Sequence, residues 1–185
     1  YGYGYGSRKR LPAPQGADSA KLPGLIGSDS NNQLSEAYRS LRTSVLLSTS
    51  GRPPRLILVT SAAPGEGKTT TVINLGITLA QLGSRVLVVD SDMRRPRVAT
   101  LLRLKGTPLG LSTYLTGQAT LQESVIATDI PNLHAVLCGP TPPNPAELLS
   151  SSLMSQFLSQ ARDSFDYVLM DSPPVLHVAD ARILA

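Results

Sequence analysis

Four short apolar runs, LILV, VLVV, LHAVL and YVLM, divide the chain into strand-sized pieces. All but LHAVL, which His134 interrupts, are continuous rather than alternating, the pattern of a strand buried on both faces of a parallel sheet. They predict strands over Arg55–Thr60, Arg85–Val89, Leu133–Leu137 and Tyr167–Met170. Helical stretches between them make the expected class α/β, a parallel sheet with helices on both faces in three layers (α/β/α). Ahead of the first strand, Gln33–Leu47 reads as a helix. There Leu34, Leu41 and Val45 make an apolar stripe at spacings of seven and four, and Glu36, Arg39 and Arg42 recur every three residues as a charged face. Arg97–Thr128 suggests two short helices broken at Gly106, Gly110 and Gly117. Asn144 and Pro145 suit the N-cap and first position of another helix, and a last one begins at Val178–Ala185. Residues 1–31 are rich in Gly, Pro and Ser without periodicity and read as a linker, which leaves 32–185 as one domain.

The first strand runs into Pro64, Gly65, Glu66, Gly67, Lys68, Thr69 and Thr70, and a helix opens there. Strand, glycine-rich loop and helix together form a phosphate-binding concavity, because successive backbone N–H groups and a helix N-terminus converge on it. Lys68 can reach β/γ phosphates and the Thr69 hydroxyl can ligate Mg²⁺. Ala62 stands where the GxxxxGK[ST] pattern has its first glycine. The fold expected is therefore that of a P-loop NTPase-like sheet.

Two further strands end in carboxylates: RVLVVDSDMRRP carries Asp90 and Asp92, and YVLMDSPPV carries Asp171. Ligands of open α/β sheets sit at the carboxyl ends of parallel strands, so the three should converge beside the loop. A metal partner needs one of them, and a spare carboxylate can accept a proton from an attacking hydroxyl. Asp92 taken alone can also cap the helix that follows. Arg94 and Arg95 come soon enough to face an anionic ligand, or else to solvate a helix start.

On these residues the chain resembles the bacterial P-loop tyrosine kinases of capsule and exopolysaccharide synthesis. The likeness runs from about Ser35 to the C-terminus. It rests on SAAPGEGKTT, VLVVDSDMRRP and YVLMDSPP (Walker A, A′ and B), with EAYRSLRTSV and GPTPPNPAELL as secondary signatures. The resemblance implies an ATP-dependent, autophosphorylating protein-tyrosine kinase acting in trans within an oligomer. Lys68 and Thr69 would hold phosphates and Mg²⁺, Asp92 and Asp171 would support the metal, and Asp90 would accept the tyrosine proton. Glu36, Arg39 and Arg42 match the motif through which such kinases form homo-oligomeric rings. The implied partners are a membrane chain-length (co-polymerase) activator, fused upstream or separate, and an opposing tyrosine phosphatase. The place is the cytoplasm, at the inner face of the plasma membrane. The family's fold continues with more strands and a tyrosine-rich tail, so the domain reads as incomplete at its C-terminus. Tyr1, Tyr3 and Tyr5 can then be acceptors, or a flexible low-complexity start. Two alternatives stay open. One is an ATPase switch of the cell-division or plasmid-partition type, disfavoured because Ala63 replaces that group's additional Lys. The other is a nucleotide-binding scaffold without kinase activity.

Composition narrows the partners. The net charge is +4 and the pI near 9.5, but basic residues are scattered in small groups such as Arg8–Arg10 without aromatic interleaving, which argues against nucleic acid. With no Trp and two Phe, the core must be aliphatic. The single cysteine, Cys138, fits a reducing compartment and a packing role near a strand end. His134 and His177 lack partners at zinc-ligand spacing. If α-helical residues Glu36–Arg42 join subunits, Arg39→Glu shifts sedimentation toward monomer, and an unchanged profile removes that role.

Overall fold

Five strands form one sheet in the computed structural model, which describes residues 25–26 and 33–176. They are β1 (Leu56–Val59), β2 (Val86–Asp90), β3 (Val125–Ala127), β4 (Leu133–Val136) and β5 (Tyr167–Asp171), in the order β1-β5-β2-β4-β3. The four strands anticipated from the apolar runs are parallel. The fifth, β3, is antiparallel to β4 and corrects the expectation of a four-stranded, purely parallel sheet. A tight reversal makes it possible. The Thr128 hydroxyl accepts the Ile130 N–H at 3.1 Å and donates to the Leu133 carbonyl at 2.8 Å, while Asn132 sits at φ 64. Asn tolerates that left-handed conformation better than most residues.

Helices cover both faces, as a three-layer fold requires. On one face lie α1 (Gln33–Leu46), α2 (Lys68–Ala80) and α3 (Val98–Leu101). On the other lie α4 (Leu111–Leu115), α5 (Leu121–Ser124), α6 (Pro145–Leu149) and α7 (Ser152–Ser164). Strand alternation divides the core: Val86 and Val88 pack with α2, whereas Leu87 and Val89 pack with Phe157 and Met154 of α7. Cys138 is buried just beyond β4, and desolvation pushes its thiol up to about 12. Asn144 does occupy the N-cap of α6 with Pro145 next, but its side chain donates to Glu147 Oε2 at 3.0 Å instead of taking a backbone amide.

The helix α2 is buried along almost its whole length and touches the sheet closely at Gly76. A Cβ there would lie 3.1 Å from Leu133 Cδ1 and 3.3 Å from both Leu169 Cδ1 and Val88 Cγ2. Its outer side receives α1, but of the anticipated stripe only Val45 takes part. Leu34 and Leu41 are exposed, and the residues facing α2 are Ser35, Tyr38, Arg42, Val45 and Leu46. Polar members interrupt that face, which hides it from a hydrophobicity pattern. Glu36 and Arg39 form an exposed i,i+3 ion pair, but Arg42 turns inward. Its Nη1 donates to the Thr78 carbonyl at 3.0 Å, within the last turn of α2, where helix carbonyls lack intrahelical donors.

The expectations for the linker, for Tyr1, Tyr3 and Tyr5, and for a helix at Val178–Ala185 fall outside the described residues. Arg42→Ala leaves a helix-end carbonyl without its cationic partner. The expected cost is about 1–2 kcal/mol, visible as a melting temperature lowered by about 3–6 °C at a protein concentration where the chain is monomeric. An unchanged melt at that concentration refutes the intrachain role.

Candidate active site

The phosphate loop joins the C-terminal end of β1 to the first turn of α2. Gly65 (φ 85) and Gly67 (φ 84) adopt left-handed backbone, which L side chains enter only with strain, and Gly67 is the N-cap of α2. Glu66 folds back so that its Oε2 accepts the Ala62 N–H at 3.0 Å, bracing the loop across its base. The loop borders a cleft of about 580 Å³, on whose wall Pro64, Gly65, Gly67, Lys68, Thr69 and Thr70 all lie. Among the residues expected to bind nucleotide, Glu66 alone is off that wall, and its role here is within the loop.

Parallel pairing brings the carboxylates together. Asp90 and Asp171 are register partners at the ends of β2 and β5, and both are buried, as is Asp92. Each is held by different neighbours. Lys68 Nζ lies 3.0 Å from Asp92 Oδ2, and the Thr69 hydroxyl donates to Asp171 Oδ2 at 2.6 Å. Asp92 Oδ1 accepts the Arg95 N–H at 3.0 Å. Asp90 Oδ2 accepts the N–H groups of Arg97 and Val98, each at 3.0 Å. The helix-start role considered for Asp92 is thus carried mainly by Asp90. Asp92 lines the cleft, whereas Asp90 and Asp171 lie behind its wall.

Burial sets the protonation of the group. Desolvation pushes Asp90 up to about 7, with the Val98 amide opposing and the charges of Asp171 and Asp92 adding to the rise. Asp171 rises to about 6, again chiefly through desolvation, offset by the Thr69 hydroxyl and Lys68. Asp90 Oδ1 and Asp171 Oδ1 are buried without a hydrogen-bond partner, and such oxygens favour a proton or a cation. Among the described residues no three His, Cys, Asp or Glu side chains close into a metal cage. Mg²⁺ is commonly held by one or two protein oxygens completed by phosphate and water. The donors Thr69 Oγ1, on the cleft wall, and Asp171, buried behind it, are hard oxygens and fit it.

Three cleft features were not named from the sequence. Arg97, Leu101 and the pair Pro173–Pro174 also form its wall. The prolines follow Asp171 after one residue, Ser172, so their position was implicit in the strand's end. Nothing in the local pattern singles out Leu101.

A profile described as AAA domain matches residues 54–185. The tyrosine-protein kinase YwqD of Bacillus subtilis (strain 168) is 43% identical over 150 residues, which are 81% of this chain and 63% of that protein. This chain therefore spans a little under two-thirds of that curated relative. The solved kinase domain of the Escherichia coli tyrosine kinase ETK superposes with a TM-score of 0.83 at 30% identity, covering 92% of this chain and 66% of the other. The septum site-determining protein MinD of Pyrococcus horikoshii, solved with Mg-ADP, shares the fold at a TM-score of 0.61 and 25% identity over 70% of this chain and 53% of its own.

Asp171 generates a pH-dependent prediction. Its folded value of about 6 exceeds the ordinary 3.8, so the folded chain holds the proton to higher pH than the unfolded chain. That contribution to stability is full below about pH 4 and is lost as pH rises through about 6. Asp171→Asn removes the ionisation while keeping an acceptor for Thr69. In metal-free buffer its melting temperature should match wild type near pH 4 and exceed it at pH 8, by on the order of 2–6 °C. A difference independent of pH contradicts the burial argument.

Proposed function

Because the chain belongs to the AAA domain family and its relatives there are bacterial tyrosine-protein kinases, we propose that it transfers the γ-phosphoryl group of ATP to protein tyrosine hydroxyls. In this reading it regulates capsular or exopolysaccharide synthesis and export. The observation that carries the chemistry is the pairing of Lys68 with Asp92 and of Thr69 with Asp171 where a glycine-rich loop enters the first turn of α2.

The backbone amides from Pro64 to Thr70 cradle the polyphosphate, and Lys68 exchanges the Asp92 carboxylate for phosphate oxygens. Thr69 and Asp171, with Asp92 beside them, hold Mg²⁺. When bound, this ion offsets the negative charge of the transferring group. The acceptor tyrosine Oη forms a bond to the γ-phosphorus as the bond to the β–γ bridging oxygen breaks, and ADP leaves. The tyrosine proton goes to a strand-end carboxylate. Asp90, raised to about 7, has a proton affinity suited to taking and returning it near neutral pH. Because Asp90 lies behind the cleft wall, it does so through one bridging water. Its Oδ1 lacks a hydrogen-bond partner, while Oδ2 stays on the α3 amides. Most of the rate then comes from alignment and charge, since phosphoryl transfer asks little covalent work of the protein.

The exposed Glu36–Arg39 pair is the part of the α1 charged face open to a second copy, so the homo-oligomer of this reading is joined there more than at Arg42. A membrane chain-length activator and a tyrosine phosphatase complete the system, with the domain at the cytoplasmic face of the membrane. Among the described residues no helix is long and apolar enough to cross a membrane, so in this reading attachment comes through the activator or a segment joined to it.

Incubation with Mg-ATP and a tyrosine-rich peptide, followed by mass spectrometry and an ADP assay, tests the transferase. Phosphotyrosine is expected, reduced about 100-fold or more in Lys68→Met. ADP release without phosphotyrosine on either the chain or the peptide would instead support an ATPase switch.

A further inference from the structure

The cleft has two chemically different parts. Its floor is the phosphate loop, with Lys68 largely covered and matched by a buried carboxylate. Its rim is the β2–α3 segment, where Arg95 and Arg97 are exposed and line the opening. Neither guanidinium makes an ion pair among the described residues. Their backbones, however, are fixed from below: Asp92 Oδ1 holds the Arg95 N–H and Asp90 Oδ2 holds the Arg97 N–H. The same carboxylates that serve the floor thus set where the two cations stand. Leu101, at the end of α3, and Pro173 and Pro174 add an apolar part to the same wall. Pro173 is anchored by its carbonyl, which accepts the Thr60 hydroxyl at 2.9 Å.

We propose that this rim is a substrate-recognition surface for acidic tyrosine-bearing segments. Arg95 and Arg97 pair with carboxylate side chains flanking the acceptor, whose ring rests on Leu101 and the two prolines. The proposal rests on the kinase reading above and names its preferred acceptor. Guanidinium groups on a fixed backbone suit carboxylates because two parallel N–H donors match two oxygens. An aromatic ring against a proline wall buries apolar surface without an unmet polar group. The site of action follows from placement: exposed cations at the mouth meet what enters over the nucleotide, whereas Lys68 meets the phosphates beneath. This chain's own Tyr1, Tyr3 and Tyr5 precede Ser7-Arg8-Lys9-Arg10, a basic context, and are disfavoured by the same rim.

The test uses the full chain saturated with Mg-ADP and two fluorescent peptides, Glu-Glu-Tyr-Glu-Glu and Gln-Gln-Tyr-Gln-Gln, followed by anisotropy. The acidic peptide should bind about 10-fold more tightly, as two exposed ion pairs can supply, and its advantage should shrink with salt. Arg95→Gln combined with Arg97→Gln should abolish that advantage while leaving the affinity for a fluorescent ADP analogue within about twofold. Equal binding of both peptides overturns the proposal. So does a joint loss of nucleotide affinity, which would assign the arginines to phosphate. A parallel assay with Mg-ATP separates this from the kinase reading. Rim-dependent binding without phosphotyrosine keeps the acidic-segment surface and removes the transferase. Phosphorylation of both peptides with the same kcat/KM keeps the transferase and removes the preference.

Discussion

Parallel pairing of β2 with β5 places Asp90 opposite Asp171 at a sheet end closed to water, with Asp92 two residues further on. Three carboxylates gathered there repel one another and lose hydration, so the surroundings must supply compensating donors. Those donors come from separate parts of the chain. The first turn of α2 provides Lys68 and Thr69, and the segment leading into α3 provides three backbone amides. Ser91 adds a tie in the other direction, its N–H and hydroxyl both donating to the Asp171 carbonyl at 2.9 and 2.6 Å. The phosphate loop, the β2–α3 segment and the end of β5 are consequently one electrostatic unit, and the shape of the cleft is a by-product of neutralising its floor.

That coupling also explains the division of charge between floor and rim. A buried cation at the floor is already matched, and a buried acid without its full set of donors keeps its proton instead. Unmatched positive charge is tolerated where solvent screens it, on exposed side chains whose main chain the acids have fixed. The basic character suggested by the composition thus reaches the site as the arginines of one short segment, Arg94, Arg95 and Arg97, and not as a broad basic face.

The buried elements were the legible ones. VLVV and YVLM announce strands buried on both faces, LILV announces β1 although its four residues are only half-buried, and Gly65 and Gly67 announce the loop because its backbone requires them. The convergence of Asp90, Asp92 and Asp171 follows from where their strands stop. Elements whose partners are polar were hidden. The contact face of α1 includes Ser35 and Arg42, which no hydrophobic period selects, and the exposed Leu34 and Leu41 drew the stripe to the wrong side. The strand β3 has three residues and depends on Thr128 and Asn132 for its reversal, a turn signal too local to read as a sheet edge. The assignment of Asp90 to the amides of α3 is likewise a matter of main-chain path, which side-chain spacing does not encode.

The missing side chain at Gly76 has a mechanical consequence. It lets α2 rest directly on Leu133, Leu169 and Val88, so the helix has a fulcrum about two turns from Lys68. Arg42 of α1 grips the far end through the Thr78 carbonyl, and Tyr38 reaches Thr71 near the loop end. α1 therefore holds α2 on both sides of that contact. How deep the phosphate loop sits is thus set by how closely a single helix lies on the sheet, a spacing that any side chain at position 76 would widen.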